Sequence, residues 1–232
     1  MRTGVIEPLR ARQATWALPV ALAMLVVAGW LWSLRAAALH LHALHGAGFA
    51  TLVAMWAAMS VGMMVPVEAP SLLRAARAHP EAARPAAFLA GYLAPWIAFS
   101  ICAALLQERL HQAGWMGADM ALREAVPSAA LLAAAGLLQL SPLRQACLSR
   151  CRAESVAASY RGFAGGTGAA VASIACCGLL MLVPFATGVM SAAWMAALTA
   201  LLVVEREFPR AARAGTAAGI LLLAFAAWRI AG

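Results

Sequence analysis

What most restricts this chain is the recurrence of apolar blocks about 16 to 22 residues long, each closed by Arg, Glu, Pro or Gly. A hydrocarbon core about 30 Å thick is crossed by about 20 apolar residues in helical form. Inside lipid every backbone N–H and C=O must be paired within its own segment, so blocks of this length are helices. Barrel strands would be shorter, about 10 residues, and would alternate; none of these blocks alternates. Composition closes the soluble alternative. Only 11% of the 232 residues are charged and 64% are hydrophobic, whereas a soluble domain carries about 25% charged residues.

Seven blocks are expected, over about 16–34, 48–66, 86–107, 125–140, 164–185, 188–204 and 211–230. The first follows Arg2, Arg10 and Arg12, is longer than a signal-peptide core and lacks a small-x-small cleavage site before Leu39, so it reads as a retained span. Trp16, Trp30, Trp32 and Trp228 fall near block ends, where indoles favour the headgroup region. The fifth and sixth blocks are parted only by Ala186-Thr187-Gly188, and the fifth is crowded with small residues that permit close helix approach. With seven spans, thirteen of the 17 basic residues, all arginines, fall on one side. Positive charge stays cytoplasmic. The fold expected is therefore all-α: one domain over 1–232, a polytopic transmembrane helical bundle with its N-terminus cytoplasmic and its C-terminus on the far side. The high pI, about 10.5, is accounted for by topology and anionic lipid. No nucleic-acid-binding motif accompanies it, so the bilayer is the expected partner and nucleic acid is not.

The most specific local feature runs from Gln139 to Arg152. Ser141 followed by Pro142 is a helix start, because Ser caps and Pro fits the first turn. A helix starting there sets Cys147 and Cys151 four apart on one face. Arg144, Arg150 and Arg152 favour the thiolate form, and two such thiolates can share a metal ion. The competing account is an interfacial helix whose arginines touch lipid phosphate. A second feature is Cys176-Cys177 in the fifth block. Adjacent helical residues point about 100° apart, so one faces the bundle while the other packs, and a cysteine also packs as a small hydrophobe. Cys102 reads as packing.

Thioethers are plentiful: Met55, Met59 and Met63 fall at i, i+4 and i+8, with Met64 beside them and Met181, Met190 and Met195 further on. Thioethers together with thiolates select copper(I), while a methionine stripe at helical spacing also serves as gap-filling packing. Glu68 and Glu205 are expected exposed at cytoplasmic span ends; if they face the bundle they become ligand or proton-relay candidates. His40, His42 and His45 read as a solvated loop. No Ser-His-Asp set, phosphate-cradling glycine loop or zinc-protease motif is present, so no catalytic residue is expected.

Several stretches resemble a bacterial family of predicted metal-binding integral membrane proteins of unknown function. They are Trp56 to Pro66 with Pro70; Gly91-Tyr92 with Trp96; Leu138 to Arg144 followed by Cys147 and Cys151-Arg152; and Gly188-Val189-Met190 with Trp194-Met195 and Glu205-Arg206. The resemblance runs from about 50 to 230. It implies a bacterial inner-membrane location and metal binding. One departure bears on the chemistry. The family's Cys-x-Gly-Cys-Cys-Trp is met here by Ser173, Ala175, Cys176-Cys177 and Gly178, so one thiolate is missing.

These readings converge on a membrane protein that binds or passes a soft metal, copper(I), through Cys147, Cys151, Cys176 and Cys177, with Met59 and Met63 as auxiliary thioethers. It would serve a cuproenzyme or take its metal from a metallochaperone. Zinc, or no metal, is the alternative. Cys147 and Cys151 form the cytoplasmic-side pair. Cys176 stands about 12 residues into its span, roughly 18 Å at 1.5 Å per residue. One shared site therefore requires the 142–152 helix to fold inward. The rivals are an assembly subunit without metal, a membrane thiol–disulfide oxidoreductase and a small-solute transporter.

Overall fold

A computed structural model describes residues 6–43, 48–78, 84–117, 120–189, 191–208 and 212–231. Among them the architecture is a polytopic all-α bundle. In chain order the helices are α1 (Ile6–Ala43), α2 (Phe49–Ala78), α3 (Pro85–Gln112), α4 (Ala125–Leu140), α5 (Pro142–Tyr160), α6 (Gly162–Leu182), α7 (Pro184–Thr187), α8 (Ala192–Glu207) and α9 (Ala212–Ala231).

Helices lie on all seven expected blocks, but they do not all cross alike. Five stretches are long and apolar enough to span a membrane: Ala17–Arg35, Phe49–Arg77, Pro85–Gln112, Gly162–Thr187 and Arg213–Ala231. The fourth block joins the cysteine segment as a pair bent by 64°, Ala125–Leu140 with Pro142–Arg152, which makes a sixth if counted as one broken span. The bend falls where the sequence places it. Ser141 is extended, with φ −69° and ψ 135°, and its Oγ accepts from the Leu143 N–H at 3.1 Å, capping α5. The sixth block becomes α8, a helix of 16 residues, about 24 Å long at 1.5 Å per residue and so shorter than a full crossing. The turn expected at 186–188 falls at Gly188, with φ 98°, while the stretch before it breaks locally at Val183 and continues as α7 to Thr187. Pro66 and Pro70 do not close α2, which runs through both. Buried between neighbours, a spanning helix tolerates proline because surrounding groups take up the freed carbonyls.

Small residues decide which helices meet most closely. A Cβ at Gly91 of α3 would collide with the Phe163 backbone, and one at Gly166 of α6 with that of Phe88, so these helices approach backbone to backbone. Gly136 of α4 and Gly219 of α9 make a second such crossing; a Cβ on Gly136 would sit 2.9 Å from the Gly219 carbonyl oxygen. Between these crossings lies a core carrying Met55, Trp56, Met59, Met63, Met64, Phe88, Tyr92 and Trp96. Polar ties inside it are few and specific: Trp56 Nε1 donates to Gln107 Oε1 at 2.6 Å, and Ser60 and Ser100 share a 3.0 Å bond between α2 and α3. His40 and His42 fall in the last turns of α1; His45 and Met190 lie outside the described residues.

Candidate metal centre

The bend after Leu140 turns α5 back onto α6, and this brings three cysteines together. The ligand atoms of Cys147, Cys151 and Cys176 all lie within 4.8 Å of one another. Cys147 and Cys176 are joined by a disulfide, with Cα atoms 5.9 Å apart. The Cys151 Sγ stands 3.6 Å from that of Cys176. Cys151 and Cys176 are buried, while Cys147 is half-buried. The inward fold on which a shared site depends is therefore present. The disulfide joining Cys147 to Cys176 is not among the pairings read from the sequence, since it links residues 29 apart through a tertiary contact.

The remaining cysteines stand apart from this group. Cys177 is buried but its sulfur lies outside the cluster, as the 100° step from Cys176 dictates. Cys102 is exposed. Ser173, one turn before Cys176, is buried and its Oγ accepts from the Tyr92 hydroxyl at 3.4 Å. The missing family thiolate is thus replaced by a hydroxyl engaged with α3. Met59 and Met63 are buried in the core, where Met59 borders a small cavity together with Met55 and Met195.

The two glutamates expected at exposed span ends are instead buried, at 2% for Glu68 and 6% for Glu205. The reason is pairing. Arg144 of α5 makes a fork to Glu205 of α8, with Nη1 to Oε1 at 2.8 Å and Nη2 to Oε2 at 2.7 Å. Gln139 Nε2 donates to the same Oε1 at 2.7 Å, and Arg152 Nη1 donates to the Glu205 backbone carbonyl at 2.9 Å. The next residue, Arg206, is paired with Glu68 of α2, and Glu207 with Arg74 at 2.5 Å. Buried carboxylates of this kind persist only when matched by charge and hydrogen bonds. A cavity of about 230 Å³ opens beside the fork, lined by Gln139, Arg144, Gln145, Ser149, Arg152 and Glu205 among others.

α5 consequently has two working faces. Arg144 and Arg152, eight apart and bracketing Leu148, turn towards α8. Cys147 and Cys151, four apart, turn towards α6. The arginine face fixes the helix and the cysteine face presents sulfur. Sequence reasoning found the cysteines by their spacing but not the Glu205 clamp, because Arg144 and Glu205 are 61 residues apart. The signal that was available was Gln139, Arg144, Glu205 and Arg206 in otherwise apolar surroundings.

Chemically, three thiols at this spacing form a soft-metal donor set. With metal–sulfur bonds of about 2.3 Å, a trigonal arrangement holds its sulfurs about 4 Å apart. Two of the three are spent in the disulfide, so metal and disulfide are mutually exclusive states of one site. No curated protein and no solved structure matches the chain. A model of the PpoB2 family, described as a copper chaperone, matches residues 53–229, a stretch that contains every cysteine named here. The match supports a copper-related family and suggests a soft metal such as copper. With more than half its length matched, this chain belongs to the PpoB2 copper-chaperone family.

Proposed function

We propose that this protein is a membrane-embedded copper carrier that holds copper(I) on Cys147, Cys151 and Cys176 and hands it to a copper protein during that protein's maturation. One observation carries the reading: three sulfurs from α5 and α6 gather within 4.8 Å of one another. Thiolate donors select the monovalent, soft state of copper. Arg144 and Arg152, engaged with Glu205 on the other face of α5, fix the helix that presents Cys147 and Cys151. The half-buried Cys147 gives a partner's ligand an approach, so that copper can pass by stepwise replacement of one sulfur at a time. Cys177, Met59 and Met63 are secondary candidates for the path rather than for this set. The bilayer is the setting, a bacterial inner membrane on the family resemblance; on the seven-block count the arginine distribution supports a cytoplasmic N-terminus, which would set the cysteine cluster towards the cytoplasmic side.

The test is copper content of the detergent-purified chain after anaerobic copper(I) loading under reducing conditions. A loss of one equivalent, relative to the native chain, in Cys147→Ser/Cys151→Ser and in Cys176→Ser is the expected result. Equal copper in all three would overturn the assignment.

The disulfide favours a second reading, thiol–disulfide exchange with a partner. In that case Cys151→Ser/Cys176→Ser, which leaves the accessible Cys147 without a resolving thiol, traps a mixed disulfide, while Cys147→Ser does not. Absence of any trapped partner, with copper binding intact in the native chain, removes it.

A further inference from the structure

Apart from the cysteine cluster, a second group of sulfur-bearing residues borders one cavity. Met55 and Met59 of α2 and Met195 of α8 border one cavity of about 10 Å³, together with Trp30 and Ser33 of α1. All three methionines are buried, at 1%, 1% and 4%. Met59 and Met55 lie nine and thirteen residues before Glu68 on α2, about 14 and 20 Å along its axis. Glu68 is tied to Arg206, the neighbour of the Glu205 that clamps the cysteine helix. The lining of this cavity shares no residue with the cysteine cluster.

Methionine normally fills gaps, since its unbranched chain adapts to irregular space. Here the reverse holds: two helices each direct methionine at a gap that stays open, at the lower limit of what one water occupies. The walls offer almost nothing to a water, because the Ser33 hydroxyl donates to the Gly29 carbonyl at 2.8 Å and the Trp30 N–H donates to the Gly62 carbonyl at 3.2 Å. They suit a soft monovalent cation instead. Neutral thioethers are soft ligands that suit copper(I) rather than hard cations. An indole bordering the cavity attracts a cation through its π cloud. No thiol lies in the walls, so disulfide formation cannot close this site.

We propose that Met55, Met59 and Met195 form a second copper(I) site made only of thioethers, separate from the cysteine cluster. The inference extends the copper reading given above, yet it stands on different residues. It makes the bundle a two-station protein: a thiolate station blocked by oxidation and a thioether station indifferent to it.

The experiment uses the full chain in detergent, reduced and then freed of reductant under argon. Copper(I) is supplied as its acetonitrile complex, and bound metal per chain is measured after desalting. The expected result is two equivalents in the native chain, one in Cys147→Ser/Cys151→Ser/Cys176→Ser, and one in Met55→Leu/Met59→Leu/Met195→Leu. X-ray absorption of the cysteine variant should show a shell of sulfur alone around copper, a readout that needs no methionine substitution to fold. A single equivalent that disappears with the cysteines overturns the thioether site and leaves the thiolate reading standing. A single equivalent that survives in the cysteine variant but disappears with the methionines does the opposite. Copper in the cysteine variant with nitrogen or oxygen neighbours also overturns the thioether site.

Discussion

Cys147 is the sulfur through which the cluster meets its surroundings, since Cys151 and Cys176 are buried and it is only half so. Substituting the buried members should abolish retention of copper against a competing chelator. Cys177→Ala should leave copper stoichiometry unchanged, because its sulfur lies outside the group. Ser173 offers a sharper test. It sits three residues before Cys176, and residues so spaced share a helix face. Ser173→Cys should restore a family-like donor set and slow copper loss to a chelator by tenfold or more, measured by competition; an unchanged rate would show that the Tyr92 contact holds that position away from the metal. At this scale much was legible. The i, i+4 spacing of Cys147 and Cys151 exposed a shared face without any structure. What Cys176 does was not legible, since an isolated Cys-Cys pair in an apolar helix looks the same whether it packs or ligates. Its role depends on a bend between two other helices.

That bend belongs to the elements, and so does its anchor. α5 is held to α8 by the Arg144–Glu205 fork and by Arg152 on the Glu205 carbonyl. Removing one partner strands a buried charge, at a cost of about 3–5 kcal/mol. Arg144→Leu should therefore lower unfolding stability by about that amount and reduce copper retention together, read by denaturant unfolding in detergent beside metal analysis. Arg144→Leu/Glu205→Leu should recover much of the stability, since replacing both members of a buried pair with apolar groups is often near neutral. Copper retention should recover less, because the cysteine face is no longer clamped. The α3–α6 crossing admits a different test. Gly166→Val should prevent close approach, because its side chain would meet the Phe88 backbone, and should give an aggregated or unloaded protein by size exclusion. Apolar block lengths made the helices legible, whereas a proline signal misled: the second block reads as ending at Pro66, and α2 continues through it and Pro70. Proline rules drawn from water weaken where neighbouring helices replace the solvent.

For the whole molecule, oxidation state should govern capacity at the cysteine site. Treatment with a disulfide-forming oxidant before loading should remove the cysteine-bound equivalent, and a dithiol reductant should restore it, measured as copper per chain. The all-α polytopic plan was readable from length and hydropathy because lipid leaves a spanning chain so few options. The buried ion pairs at one end of α8 were not. Charges near a span end read as solvated unless their partners are known, and Glu68 and Arg206 are 138 residues apart.

The disulfide also bears on how firmly the protein holds its shape. It bridges a sequence separation of 29, and in the chain-entropy account a loop of about that size, once closed, restricts the unfolded state by about 3–4 kcal/mol. A metal ion shared by α5 and α6 would tie the same two helices, so both the oxidised and the loaded proteins are cross-linked. The reduced, empty protein is the one without a tie. It should melt at the lowest temperature of the three, a ranking that thermal denaturation in detergent can establish. On the copper-carrier function proposed above, release of the ion would leave the protein in its loosest form, and picking up the next would firm it again.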